Sequence, residues 1–195
     1  MYTIKNTDID NAMTFEISKA QWGYDKYMPK VFCQISHDDS KFYVRFKIYE
    51  KDPLRDKIKD FDPVNEDSCV EFFANFMPES SEYYINFETN ANGKVNFSFR
   101  KSRYDYIDFT EDDAKSLDVD AKIFDDYWTV DYTIKEEFLK KYYKEFSMSE
   151  CKKIKCNLYK CGDLMEIEHY IAYFDVGCEN PDYHRPEYFG EFIVE

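Results

Sequence analysis

The chain has 195 residues, a formal net charge of −14 and a pI near 4.7. That charge repels polyanions at long range, which argues against nucleic acid or an anionic membrane surface as partner. Aromatic residues make up 19% of the chain beside only 5 Gly and 6 Pro, a composition that excludes a disordered or low-complexity protein.

The length suits one domain over residues 1–195. No stretch is long and apolar enough to span a bilayer, and residues 1–8 lack the apolar run of a secretory leader. The expectation is a cytoplasmic protein as given, or a secreted one if a leader has been removed; oligomeric state is not readable. Cys33, Cys69, Cys151, Cys156, Cys161 and Cys178 match no familiar disulfide framework and are expected as free thiols.

In chain order, Thr14–Ser18 and Lys41–Glu50 alternate apolar and polar residues, as half-buried strands do. Residues 51–67 turn charged and carry Pro53 and Pro63, which predicts a long surface loop. Cys69–Ala74, Tyr83–Asn90 and Lys94–Arg100 read as a meander, with Asn92-Gly93 as a hairpin turn. In its second strand, Ile85, Phe87 and Thr89 share one face, and Tyr84, Asn86, Glu88 and Asn90 form a polar row on the other. Residues 105–120 read as an exposed connection with a short helical turn. Tyr127–Ile134 is a strand that places Trp128 in the core, and Lys135–Phe146 has the spacing of a helix. Ile154–Cys161, His169–Phe174 and Phe189–Val194 are three further strands. Many short strands, hairpin signals and one short helix predict an all-β fold, a β-sandwich of two packed antiparallel sheets.

The polar row suits a polyhydroxylated ligand, because hydroxyls need directional partners and the C–H face of a sugar ring lies well on an aromatic plane. A solvated strand would have the same pattern. The loop from Asn180 to Gly190 adds Tyr183, His184, Arg185 and Tyr188, a candidate lip over such a site. Glu71 and Glu88 fall on adjacent strands and could form the carboxylate pair of a glycoside-processing enzyme. Cys151, Cys156 and Cys161 recur every five residues, unlike a zinc knuckle. Asp60, Asp62, Glu66, Asp67, Asp105 and Asp108 are hard-oxygen candidates for calcium, though no loop matches an EF-hand. No nucleophile motif or glycine-rich phosphate loop occurs, and no cofactor is required.

Taken together, the segments 67–73, 84–93, 128–132, 157–163 and 184–190 resemble, in order and character, the family 9 carbohydrate-binding modules and their stand-alone branch. The resemblance covers most of the chain. It implies a DOMON-like, jelly-roll-like β-sandwich, non-catalytic carbohydrate binding and, in many members, calcium. Carried over by motif, it makes Glu71 a polar contact to the sugar, Tyr183 or Tyr188 a stacking ring, and Arg100 a further candidate. Members of the family clamp a terminal sugar between two tryptophans. This chain departs from that pattern: it has only Trp22 and Trp128, and Phe61 stands in the loop before Asp67. The competing readings are the two-carboxylate enzyme and an interaction or small-ligand domain that keeps the fold without the sugar site.

Overall fold

A computed structural model describes residues 2–195. Its strands are β1 (Tyr2–Asn6), β2 (Thr14–Ile17), β3 (Lys19–Ala20), β4 (Lys30–His37), β5 (Lys41–Tyr49), β6 (Cys69–Asn75), β7 (Tyr84–Asn90), β8 (Val95–Arg100), β9 (Tyr106–Asp108), β10 (Asp120–Ile123), β11 (Trp128–Lys135), β12 (Lys153–Gly162), β13 (His169–Ala172) and β14 (Gly190–Val194). The α-helices among the described residues are α1 (Glu111–Ser116) and α2 (Glu136–Tyr142), beside four single-turn 3-10 helices.

One layer runs β10-β11-β5-β4, with β2 also paired to β4; the other runs β14-β12-β6-β7-β8-β9, with β13 and then β3 continuing from β12. The expectation of two antiparallel sheets needs correction. β1 lies parallel to both β14 and β4, so the layers join into one curled mixed sheet. β1 and β4 are also strands that the sequence reading left out. β1 is held by residues at the far end of the chain, Phe192 to Val194, and no local pattern reveals such a partner.

Strict alternation builds the core. Phe42, Val44, Phe46 and Ile48 of β5 are buried with Val70, Phe72, Ile85, Phe87 and Phe97 of the facing layer. Each such side chain contributes about 1.5–3 kcal/mol on leaving water. Trp128 is fully buried there, and its indole N–H donates to Glu50 at 3.0 Å. α2 buries Phe138 and Leu139 and is shorter than the helix read over residues 135–146. Its chain leaves helical geometry at Tyr143, whose ring is buried and whose hydroxyl donates to the Tyr83 carbonyl. The stretch read as an exposed connection over residues 105–120 contains β9 and α1, the latter closed by a capping box between Thr110 and Asp113.

A buried polar network fastens the two layers. Lys160 of β12 donates to the Cys161 carbonyl at 2.8 Å, sits 2.7 Å from His169 Nε2, and pairs with Glu50 at 3.7 Å. Burial and the Lys160 charge push the His169 pKa down to about 4, so the imidazole is neutral and Nε2 accepts. Glu50 also accepts from Ser68, Trp128 and Tyr27. Burial, the largest influence, pushes Glu50 upward, but Lys160 and the Ser68 and Trp128 donors outweigh it and hold its pKa below the usual value.

Candidate functional site

The face of β6, β7 and β12 that points away from the main core carries Cys69, Glu71, Phe73, Tyr84, Tyr159 and Cys161, by the two-residue side-chain period. The polar row of β7 belongs to this face, and the structure changes its meaning. Tyr84, Asn86, Glu88 and Asn90 are 0%, 0%, 5% and 0% exposed, so the row is a packed layer and not a solvated surface.

Two segments cover it. The terminal loop brings down Tyr183, whose ring stacks on Tyr159 at 3.9 Å between centroids and whose hydroxyl donates to the Lys160 and Ile171 carbonyls. His184 Nδ1 meets the Tyr84 hydroxyl at 3.0 Å. Burial, with the charges of Arg100 and Arg103, lowers the His184 pKa to about 2, so it is a neutral acceptor for that hydroxyl. At the other end, Asp67 accepts from the Asp56 and Lys57 amides and from Asn90 Nδ2, pinning the 51–67 loop to the hairpin. Asn90 Oδ1 in turn accepts from the Asn92 and Lys94 amides, an Asx closure of the turn in which Gly93 adopts φ +71°.

Between these covers lies a cleft of about 390 Å³, within the size range of small-molecule sites. Its floor includes Glu71, Phe73, Glu88 and Cys161, with Asn96 and Arg100 from β8 and Asp163 after β12. Its aromatic lining comes from opposite edges of the layer. Trp22 follows β3 at one edge, and Tyr104 and Tyr106 come from the β8–β9 turn and β9 at the other. Side chains from both edges can share one cleft only because the layer curls.

Trp22 is positioned by strain and by contacts. It has φ 53°, an uncommon conformation for a bulky residue, followed by Gly23 at φ 80°. Its indole N–H donates to the Cys178 carbonyl at 2.8 Å, and its ring lies 5.3 Å from Tyr183. Tyr104 is 88% exposed, an unusual state for an aromatic ring. Arg100 reaches Asn86 Oδ1 at 2.9 Å and the Arg103 carbonyl at 2.9 Å, with its guanidinium 4.3 Å over the Tyr106 ring. Arg103 pairs with Asp182 at 3.0 Å.

The two buried glutamates are cross-strand partners. Glu88 accepts from Asn86 and Asn96, whereas the hydrogen-bond partner of Glu71 is the Cys161 thiol at 2.9 Å. Burial raises both pKa values above the ordinary glutamate range, and the Glu88 charge adds to the shift at Glu71.

Of the residues singled out from sequence, Glu71, Glu88, Arg100, Tyr183 and His184 line the cleft together. Tyr84 and Asn86 lie beneath it as supports: Asn86 Oδ1 accepts from Ser98 and Arg100, and its amide donates to Glu88. Arg185 does not line the cleft and pairs with its neighbour Glu187 at 3.0 Å. Tyr188 lies against Gly177, and Phe61 stacks on Phe97 against the main core, so neither ring is a cleft wall. Trp22, Asn96, Arg103, Tyr104, Tyr106 and Asp163 line the cleft without having been singled out as site residues. The signals were the Trp22-Gly23 pair, whose glycine permits a sharp turn, and the run Arg100 to Tyr106, dense in arginine and tyrosine between two strands.

Asp60 and Asp62 accept from the Val95 and Lys59 amides, Glu66 pairs with Lys57, and Asp67 is committed as described. Among the described residues, the group whose ligand atoms converge is Cys69, Glu71 and Cys161.

This curled β-sandwich with a concave, aromatic-lined cleft matches known modules. The family model for carbohydrate-binding family 9 matches residues 4–194, and the chain belongs to that family. A candidate carbohydrate-binding protein from Bacteroides uniformis ATCC 8492 superposes with a TM-score of 0.87 at 20% identity, covering 100% of this chain and 98% of that one. A family 9 module from Caldicellulosiruptor kristjanssonii in complex with cellotriose gives 0.69 at 11% identity, covering 100% and 93%. The same organism's family 9 module in complex with glucose gives 0.70 at 12% identity, covering 100% and 95%. None of the curated proteins matches the chain in sequence.

Proposed function

We propose that this chain is a non-catalytic carbohydrate-binding module that takes a neutral sugar in the cleft between Trp22 and the Tyr104–Tyr106 edge. The observation that carries the reading is the pairing of exposed aromatic surface at the cleft edges with fixed hydrogen-bonding groups at its floor. Rings accept the C–H face of a pyranose, while Asn96, Arg100, Glu71 and Asp163 offer donors and acceptors to its hydroxyls. Family membership supports the same reading, as do the Caldicellulosiruptor family 9 complexes with glucose and cellotriose. Trp22 and Tyr104 take the roles that two tryptophans play in the family's pattern. The chain's net charge of −14 disfavours acidic sugars.

Calorimetric titration with glucose, cello-oligosaccharides and a panel of other neutral mono- and oligosaccharides tests the proposal. Binding is expected for at least one, weakened about tenfold in Tyr104→Ala, since an aromatic contact is worth about 0.5–1.5 kcal/mol beyond its buried area. Tyr104 is exposed, so the variant keeps its fold. No heat across the panel at millimolar sugar sinks the proposal. Turnover of chromogenic glycosides that Glu71→Gln abolishes would replace it with the enzyme reading.

A further inference from the structure

We propose that Cys69, Glu71 and Cys161 form a binding site for one thiophilic divalent cation of the zinc type, with its fourth coordination position open to the cleft. The proposal does not rest on the sugar reading, because the three ligands are fixed by strand register alone. Cys69 and Cys161 are direct partners across the β6–β12 ladder, and Glu71 stands two residues from Cys69 on the same face.

The ligand atoms already converge. The two sulfurs and a Glu71 oxygen all lie within 4.8 Å of one another, and Cys161 Sγ is 2.9 Å from Glu71 Oε1. A tetrahedral zinc with Zn–S of about 2.3 Å and Zn–O of about 2.0–2.2 Å holds its ligand atoms about 3.5–3.8 Å apart. Small side-chain adjustments, with no strand movement, reach that triangle.

Glu71 supplies the second, independent observation. It is 3% exposed, and among the described residues no N–H or O–H group donates to it. A carboxylate so placed is costly to bury without a cation or stronger donors. Glu88, its cross-strand neighbour, is satisfied by two asparagine amides, so the difference is specific to Glu71. Asp163, which also lines the cleft, has a buried oxygen, Oδ1, without a hydrogen-bond partner and adds to the negative field. The nearby cations have other partners: Lys160 is bound to Glu50 and His169, Arg103 to Asp182, and Arg100 to Asn86.

On binding, the two S–H bonds and, where Glu71 is protonated, its O–H bond are exchanged for bonds to the metal. The released protons pass to solvent, and no electron is transferred. Glu71 and Cys161 reach the cleft while Cys69 closes the site from behind, leaving room on the cleft side for water or another oxygen ligand. Two thiolates favour zinc or cadmium over calcium or magnesium.

The test uses the full chain under a reductant that does not bind metal, freed of metal by a chelator and exchanged into chelator-free buffer. Zinc and cadmium are titrated by calorimetry, with cadmium–thiolate charge-transfer absorption followed in the ultraviolet. The expected result is one ion per chain. The affinity should fall about tenfold or more in Cys69→Ser, Cys161→Ser and Glu71→Gln, and stay unchanged in Cys151→Ser, which precedes β12 at the end remote from Cys161. Absence of saturable binding overturns the proposal, as does binding that survives both serine variants. Should those variants fold poorly, X-ray absorption of the zinc-loaded native chain decides: two sulfur neighbours at about 2.3 Å support the site, and a shell of nitrogen and oxygen alone refutes it.

Discussion

Lys160→Met isolates the buried network that ties the two layers together. The side chains of Lys160 and Glu50 have no exposure, and the ammonium has partners at 2.7, 2.8 and 3.7 Å. Methionine keeps most of the aliphatic volume, so packing loss is small and the change is electrostatic. Removing the ammonium leaves the Cys161 carbonyl and His169 Nε2 without that donor and Glu50 without its counter-charge. Glu50 is not stripped bare, because Ser68, Trp128 and Tyr27 still donate to it. Breaking one side of a buried pair costs about 3–5 kcal/mol, and the remaining donors place this case near the lower end. The folded pKa of Glu50 is depressed in the native chain, so its contribution is present above the unfolded value and is lost as pH falls through the folded one. Without Lys160 burial prevails and that pKa rises, so the gap between native protein and variant narrows toward acid pH. Urea unfolding with an unchanged m-value measures the loss, and adding Glu50→Gln should return about 1 kcal/mol or more relative to additivity. A Lys160→Met loss below about 1 kcal/mol, or strict additivity in the double variant, refutes the reasoning.

Glu71→Gln makes a prediction of opposite sign. Burial and Glu88 raise the folded pKa of Glu71, so its contribution is complete below the unfolded value of about 4.3 and is lost as pH rises through the folded value. With chelator present, the glutamine variant should gain stability relative to the native chain as pH rises from about 4 toward 8; a difference constant across that range in urea unfolding contradicts this. Gly190→Ala should destabilise by about 1–3 kcal/mol in thermal or urea unfolding, because its Cβ would fall 2.2 Å from the Phe174 ring. A neutral result would mean that the ring can move aside.

Period-2 alternation made β5 to β8, β11, β12 and β14 legible in the sequence, because each buries one face against the main core. The same alternation misled at β7. Asn86 and Glu88 have the pattern of a wet face, yet Asn96, Ser98 and Arg100 of β8 close on them while the terminal loop covers Tyr84, and a loop that returns from 100 residues downstream leaves no trace in the strand it covers. β1 was missed for a related reason, since its parallel partners lie elsewhere in the chain. In the cleft, Glu71 and Arg100 are residues that the family resemblance named as candidate contacts, whereas Trp22 and Tyr104 come from turns at opposite edges of the layer. Their meeting in one cleft depends on sheet curvature, which residue types in a turn do not encode. The ring offered in place of the second tryptophan, Phe61, is drawn into the core by Phe97.

The sequence has two tryptophans, and the structure separates them: Trp22 lines the cleft, while Trp128 is fully buried with its indole N–H on Glu50. Their indole N–H signals in a 15N-correlated NMR spectrum are therefore an internal probe and control for the proposed sugar site. Titration with glucose and cello-oligosaccharides is predicted to shift the Trp22 signal progressively and saturably, with the Trp128 signal unmoved. A Trp22 signal that stays in place while calorimetry or other resonances report sugar binding would put the binding surface elsewhere and contradict the account.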